Sequence, residues 1–204
     1  MKRFIVTGTD TGIGKTVFAA ALTGALCGVY WKPIQAGLDG ETDGEIAARL
    51  SGRPALPEAY RFRLPASPHR AAAAEGRAID TAMLVLPDTD VPLVVEGAGG
   101  LAVPLSEDAL LIDVFARWAA PLILCARTSL GTINHTLLSL EAIRARQIPL
   151  LGVAFSGDAN EDSERVICRF GGVRRLGRLE HVAPLEPSRL AAAFAAGFEI
   201  RDFI

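Results

Sequence analysis

The sequence predicts a single α/β domain, a three-layer sandwich in which a mostly parallel sheet carries helices on both faces. Three observations lead there. Short runs that are apolar throughout, such as Pro92 to Val95 and Pro121 to Cys125, alternate with longer helix-like runs. Strands that are apolar on both sides belong to parallel sheets covered on both faces. The first apolar run passes through a glycine-rich turn directly into a helix, and the 204 residues suffice for one domain with a real core.

In chain order, Phe4 to Val6 is the first strand. The turn from Gly8 to Thr16 reads Gly-Thr-Asp-Thr-Gly-Ile-Gly-Lys-Thr, and Val17 to Leu22 continues it as a helix. Strand, glycine-rich turn and helix form the context of a phosphate-binding loop. Its N–H groups and the positive end of the helix dipole face one small volume, which suits an anion. The common spacing leaves four residues between the two glycines. Here five separate Gly8 from Gly14, and Thr9 stands where the first glycine is expected. Lys15 is placed to reach the outer phosphates and Thr16 to hold a magnesium ion.

Val29 to Trp31 is a second strand, ending at Lys32 and Pro33. A polar, glycine-rich loop from Ile34 to Asp43 follows, then a helix from Gly44 to Leu50 capped by Thr42 or Asp43. Residues 51–68 hold several prolines and little periodicity, and read as irregular. Ser67, Pro68 and His69 open an alanine-rich segment, and Asp80 caps a helix through Leu86. Pro92 to Glu96 is an apolar strand ending in a carboxylate, and it runs into the turn Gly97, Ala98, Gly99 and Gly100. Leu110 to Trp118 is a helix, Pro121 to Cys125 a strand and Ile133 to Arg146 a helix. Leu150 to Phe155 is a strand, Asp162 to Phe170 a helix, Val173 to Leu179 a strand, and Ser188 to Ala196 the last helix.

Composition excludes several function classes. A net charge of −2 carries no nucleic-acid footprint. The apolar runs are too short and too interrupted for a membrane span, and the N-terminus has no signal-peptide pattern. Cys27, Cys125 and Cys168 are far apart in apolar runs; they read as buried small hydrophobes in a reducing cytoplasm. Only Lys2, Lys15 and Lys32 are lysines among 21 Lys and Arg residues. Lys15 and Lys32 therefore mark positions where a compact ammonium is needed instead of a planar guanidinium. Catalytic groups of parallel sheets lie at the carboxyl ends of strands, where Lys32, Glu96 and the phosphate loop all fall.

Taken together, the segments at 8–16, at Lys32, Pro33 and Gly37, at 96–100 and at 131–135 resemble the dethiobiotin synthetases. Ser67 to His69 adds a weaker match. The resemblance extends to the extra residue in the phosphate loop and covers most of the chain. It implies an ATP-dependent carboxylation of 7,8-diaminopelargonate by CO₂, with closure of a cyclic urea through a carbamate and its mixed anhydride with phosphate. ATP would be held by Gly12, Ile13, Gly14, Lys15, Thr16 and Val17, with Ser156 at the base. Mg²⁺ would be held by Thr16, Asp43 and Glu96. Lys15, Lys32 and Thr11 would be catalytic. Lys32, Gln35 and residues 97–100 (Gly97, Ala98, Gly99, Gly100) would contact substrate. The carboxylate tail would meet Thr132, Ile133 and Asn134 of a second subunit, which makes the expected assembly a homodimer with a shared site.

Two departures from the family pattern stand out. Arg127, Thr128 and Ser129 occupy the stretch where a lysine is common, and Ser156 replaces an asparagine that reads adenine. A hydroxyl offers less than a bidentate amide, so weak base discrimination is expected. Three rival readings are weaker. A nicotinamide-binding domain lacks its Gly-x-Gly-x-x-Gly turn. A partitioning or cell-division switch ATPase would carry a further lysine near Asp10, and Ala191 to Ala196 is too poor in Lys and Arg for a membrane-binding helix. A cobyrinate-type amide synthase would need a glutaminase domain.

Overall fold

The computed structural model describes residues 1–204 and has the expected three layers. The elements are β1 (Arg3–Gly8), α1 (Lys15–Ala25), β2 (Val29–Trp31), β3 (Ile34–Ala36), α2 (Asp43–Ser51), β4 (Ala55–Leu56), β5 (Tyr60–Phe62), α3 (Pro68–Ala74), β6 (Leu93–Glu96), α4 (Leu111–Trp118), β7 (Leu122–Arg127), α5 (Thr132–Ala145), β8 (Leu150–Ser156), α6 (Glu161–Gly171), β9 (Arg175–Leu179) and α7 (Pro187–Gly197). Seven strands form one parallel sheet in the order β4-β2-β6-β1-β7-β8-β9. The strand β1 is central, between β6 and β7. The chain leaves β1 toward one edge of the sheet and later returns to the other, so the loop after β1 opens where the strand order reverses.

Two apolar layers cover the sheet. On one face Phe18, Leu22, Ala47, Leu50, Leu190 and Phe194 bring α1, α2 and α7 against it. On the other, Phe115, Leu140, Ile143 and Ile167 bring α4, α5 and α6. No helix is long and apolar enough to cross a membrane.

Three stretches differ from the sequence reading. The loop after Lys32 contains β3, and the irregular segment contains β4 and β5; β3 and β5 pair as a small second parallel sheet. Strands of two or three residues carry no readable period, and their pairing is set by distant partners. The helix expected from Asp80 through Leu86 is a single 3₁₀ turn, Thr81–Met83, capped by the Asp80 carboxylate at the Ala82 N–H. The carbonyl oxygen of Leu84 accepts instead from Trp118 Nε1 at 2.7 Å and from Arg117, which ends the turn before a helical bond can form. Cys27 is the third difference. It is exposed and left-handed just past α1, whereas Cys125 is buried.

The helix α2 matters to the site because it begins at Asp43. Its N-terminus is fixed by a capping box: the Glu45 N–H donates to Thr42 Oγ1 at 3.3 Å, and the Thr42 N–H donates to Glu45 Oε2 at 2.7 Å. Thr42→Ala removes the hydroxyl half of the box and is expected to lower stability by about 1 kcal/mol in urea unfolding. A stability indistinguishable from wild type would mean that tertiary contacts, not the cap, hold Asp43 in place.

Candidate active site

The site is built at the carboxyl ends of β1, β2 and β6. The Cα register pairs Tyr30 with Val94 and Trp31 with Val95. One residue further on, Lys32 and Glu96 stand side by side on the face toward α1. The Lys32 ammonium is 3.1 Å from Glu96 Oε1 and also pairs with Asp43 Oδ2 at the start of α2. Thr16 Oγ1, in the first turn of α1, lies 2.9 Å from the same Glu96 oxygen and 3.1 Å from Asp43 Oδ1. Tyr30 Oη donates to the other Glu96 oxygen at 2.8 Å. Glu96 is 1% exposed and Lys32 5%, so an ion pair removed from water is completed by hydroxyl donors on every side.

The two lysines are tuned in opposite directions. Burial by itself depresses the Lys32 ammonium, but Glu96 and then Asp43 outweigh it, and the pKa is raised above the ordinary lysine value. Burial dominates at Lys15 and, with the nearby Lys32 charge, lowers its pKa despite Glu96. The Lys15 ammonium rests on its own loop, donating to the Asp10 carbonyl at 2.7 Å. Tyr30 is driven well above the ordinary phenol value by burial and by Glu96; it is a neutral donor. Cys125, beneath the loop, is pushed up to about 12 by burial and is an inert thiol.

Two clefts meet at the phosphate loop. The first, of about 650 Å³, contains Lys15, Thr16, Lys32, Asp43 and Glu96 on one wall. Ile34, Ala36, Pro65, Pro68 and Val103 are part of its apolar lining. The second, of about 660 Å³, is bounded by the other side of the loop, by Thr128 and Ser156 to Asn160, and by Leu179 to Val182. Gly12, Ile13, Gly14 and Val17 line both. The loop thus lies between the two clefts.

Three oxygens, from Thr16, Asp43 and Glu96, converge in the first cleft, and an ammonium already bridges the two carboxylates. The set holds two carboxylates and a hydroxyl, with no group of three or more His, Cys, Asp or Glu side chains arranged to hold a metal ion. That donor set fits Mg²⁺, a hard ion bound through one or two carboxylates together with phosphate oxygens and water.

The remaining residues singled out in the sequence divide. Thr11, Gly12, Ile13, Gly14, Val17, Ala98 and Gly99 line the first cleft, and Ser156 lines the second. Gln35, Gly97 and Gly100 do not face the clefts. The Gln35 amide is occupied by its own loop, accepting from the Asp43 N–H at 3.3 Å and donating to the Ala36 and Gly37 carbonyls; it positions Asp43. A Cβ at Gly97 would meet Phe115 at 2.7 Å, so that glycine serves packing against α4. Gly100 lies against the Gly8 and Thr9 carbonyls and supports the phosphate loop from behind. Thr132, Ile133 and Asn134 line neither cleft. Thr132 is buried with its hydroxyl on the Arg127 carbonyl, while Asn134 is exposed. His69 and His135 are not among the groups around Glu96. Tyr30 was the residue missed. The available signal was its place two residues before Lys32, on the same face of a strand.

The profile of the AAA domain family matches residues 2–189. The chain is 66% identical over 205 residues to the ATP-dependent dethiobiotin synthetase BioD of Rhodopseudomonas palustris strain TIE-1, covering 99% of this chain and 97% of the relative. It is 59% identical over 203 residues to the protein of the same name from Sphingopyxis alaskensis, covering all of both chains. Among solved structures, the cell division ATPase MinD of Pyrococcus furiosus superposes with a TM-score of 0.58 at 14% identity, over 96% of this chain and 99% of that one. The ATP complex of Cyanothece McdA superposes at 0.56 and 13%, over 96% and 90%. At such identities the likeness is one of fold. The chain belongs to the family of ATP-dependent dethiobiotin synthetases.

Gly14 links the two clefts and tests the geometry. It is left-handed at φ 89, and a Cβ there would stand 2.6 Å from Ser156 Oγ. Gly14→Ala is expected to weaken ATP binding about tenfold or more, from a strain of about 1–3 kcal/mol. Adding Ser156→Gly should recover part of that loss by removing the clash while leaving the backbone strain. Calorimetric titration with a non-hydrolysable ATP analogue reads both. Full activity of the single variant would show that the loop relaxes around the added methyl.

Proposed function

We propose that the chain closes the cyclic urea of dethiobiotin, using ATP to activate CO₂ held as a carbamate on 7,8-diaminopelargonate. The observation that supports this reading is the convergence of Lys15, Lys32, Thr16, Asp43 and Glu96 at one side of a phosphate loop, in a cleft whose lining also includes the apolar Ile34, Ala36, Pro65, Pro68 and Val103. In the first step one amine nitrogen attacks CO₂, forming a C–N bond and releasing a proton to solvent. A carbamate oxygen then attacks the γ-phosphorus, and the β-phosphate oxygen departs with ADP. The second amine attacks the carbamate carbon. Inorganic phosphate leaves with the C–O bond, a further proton is released, and the ring is closed.

The barrier in this sequence is the meeting of two anions, carbamate and γ-phosphate. Lys15 and Lys32 flank the place where they meet, and preorganised cations in a water-poor site contribute several kcal/mol. Thr11 is exposed at the cleft mouth and offers a hydroxyl to either anion. Thr16, Asp43 and Glu96 would hold Mg²⁺, which when bound neutralises charge on the phosphates. On the other side of the loop Ser156 is the hydroxyl available to the base. Its neighbour Asn160 is already committed, accepting from the Ser163 N–H and donating to the Thr128 carbonyl.

ADP release should require both the diamine and bicarbonate. Lys32→Ala is expected to lower kcat by about 10²–10³, with a much smaller change in ATP affinity measured on the folded variant. Equal losses in rate and affinity would make Lys32 a uniform binding residue. Release of ADP without the diamine would favour a switch ATPase.

The tail-binding role of Thr132, Ile133 and Asn134 belongs to a two-fold dimer with a shared site. That none of the three lines either cleft of the same chain, while Gly131 and Asn134 at the start of α5 are exposed, favours this arrangement. Asn134→Asp places a negative charge where the tail carboxylate would sit. Lys15→Ala disables the phosphate side. Each pure variant should be nearly inactive at low diamine. After random subunit exchange about half of the dimers are hybrids, each with one intact site, and about a quarter of wild-type activity should return. No recovery after demonstrated exchange would place the whole site within one subunit.

A further inference from the structure

Tyr30 sits in an apolar layer beneath the phosphate loop, 0% exposed. A hydroxyl in such a place is a liability unless it is bonded. A phenylalanine would fill the same volume without that liability. The hydroxyl has one partner, Glu96 Oε2 at 2.8 Å. The other Glu96 oxygen is the one that meets Thr16 at 2.9 Å and Lys32 at 3.1 Å. The two oxygens of a single carboxylate are therefore divided: Oε1 faces the reaction cleft and Oε2 is tied to the strand behind it.

We infer that Tyr30 is a positioning residue that withholds Oε2 of Glu96, confines this carboxylate to one-oxygen ligation, and so favours Mg²⁺ over larger divalent cations. Mg²⁺ demands a compact octahedron and keeps several waters, taking one oxygen from each carboxylate. Ca²⁺ accepts more oxygens at longer distance and readily takes a carboxylate by both. For Glu96 to turn both oxygens toward an ion, the bond from Tyr30 must break, and a fully buried hydroxyl would be left without a partner. The inference rests on the metal reading given under the proposed function and adds a residue that touches neither metal nor substrate.

The test is Tyr30→Phe. The concentrations of Mg²⁺ and of Ca²⁺ that half-saturate the complex with a non-hydrolysable ATP analogue are measured by calorimetry, with circular dichroism confirming the fold. Loss of an outer hydrogen bond is expected to weaken Mg²⁺ about tenfold. Ca²⁺ should hold or gain, so the preference for Mg²⁺ falls by at least that factor. Mg²⁺ and Ca²⁺ affinities that are unchanged, or that fall together, would overturn the inference, because a merely structural role moves both alike.

A second measurement keeps the wild-type side chain in place. The chain has two tyrosines, Tyr30 and Tyr60, so protein labelled with 3-fluorotyrosine gives two fluorine resonances, assigned with Tyr60→Phe. Addition of Mg²⁺ to the analogue complex should shift the Tyr30 resonance and leave that of Tyr60 in place. A Tyr30 resonance indifferent to Mg²⁺ would overturn the inference even if Tyr30→Phe fails to fold. Absence of any saturable Mg²⁺ effect on the wild type would overturn the metal reading itself and this inference with it.

Discussion

A carboxylate sealed from water at the end of β6 is the constraint around which the site is arranged. Removing an ion of this size from water costs several kcal/mol even after the surroundings relax. The attraction of a partner offsets that cost only when the remaining lone pairs are also satisfied. Glu96 meets the condition through donors on two separate elements: Lys32 and Tyr30 at the end and middle of the β2 segment, and Thr16 at the start of α1. Satisfying one carboxylate therefore fixes the phosphate-binding helix and the neighbouring strand relative to each other. Asp43 joins through Lys32 and Thr16, which ties in α2. The capping box of α2 and the Gln35 amide hold Asp43 from behind.

The layered fold was legible because continuous apolar strands and helical runs are properties of contiguous sequence. The phosphate loop was legible for the same reason: its glycines, Lys15 and Thr16 are consecutive, and their conformations follow from local backbone freedom. Lys32 and Glu96 could be singled out because a charged residue at the end of an apolar strand has few structural uses. What stayed hidden depended on distant partners. A tyrosine in a strand is ordinarily a packing residue, and only the register between β2 and β6 puts the Tyr30 hydroxyl on Glu96. The bonds of the Gln35 amide to Asp43, Ala36 and Gly37 depend on how its loop folds back, and the packing of Gly97 against Phe115 joins residues far apart in the chain. The short strands β3, β4 and β5 exist only through their pairings.

The phosphate loop also separates two tasks. One side holds Lys15, Lys32, Asp43 and Glu96; the other is lined near the ends of β7, β8 and β9 by Arg127, Thr128, Ser156, Asp158, Glu180 and His181. Gly14 stands between them, with Ser156 behind it. A small residue at 156 leaves room for the left-handed loop and puts a single hydroxyl on the second cleft.

The choice of lysine over arginine in an arginine-rich chain follows from donor geometry. An ammonium has three donors arranged around one atom. At Lys32 two are taken, by Glu96 Oε1 and Asp43 Oδ2, leaving one. At Lys15 one is taken by the Asp10 carbonyl, leaving two. A guanidinium spreads its five donors over a rigid plane and pairs best with one carboxylate edge. It could not hold Asp43 and Glu96 on one point while offering a further donor to the cleft. The opposite pKa directions express the same division of labour. Lys32 is already neutralised by carboxylates and stays charged. Lys15 is desolvated with its charge weakly compensated.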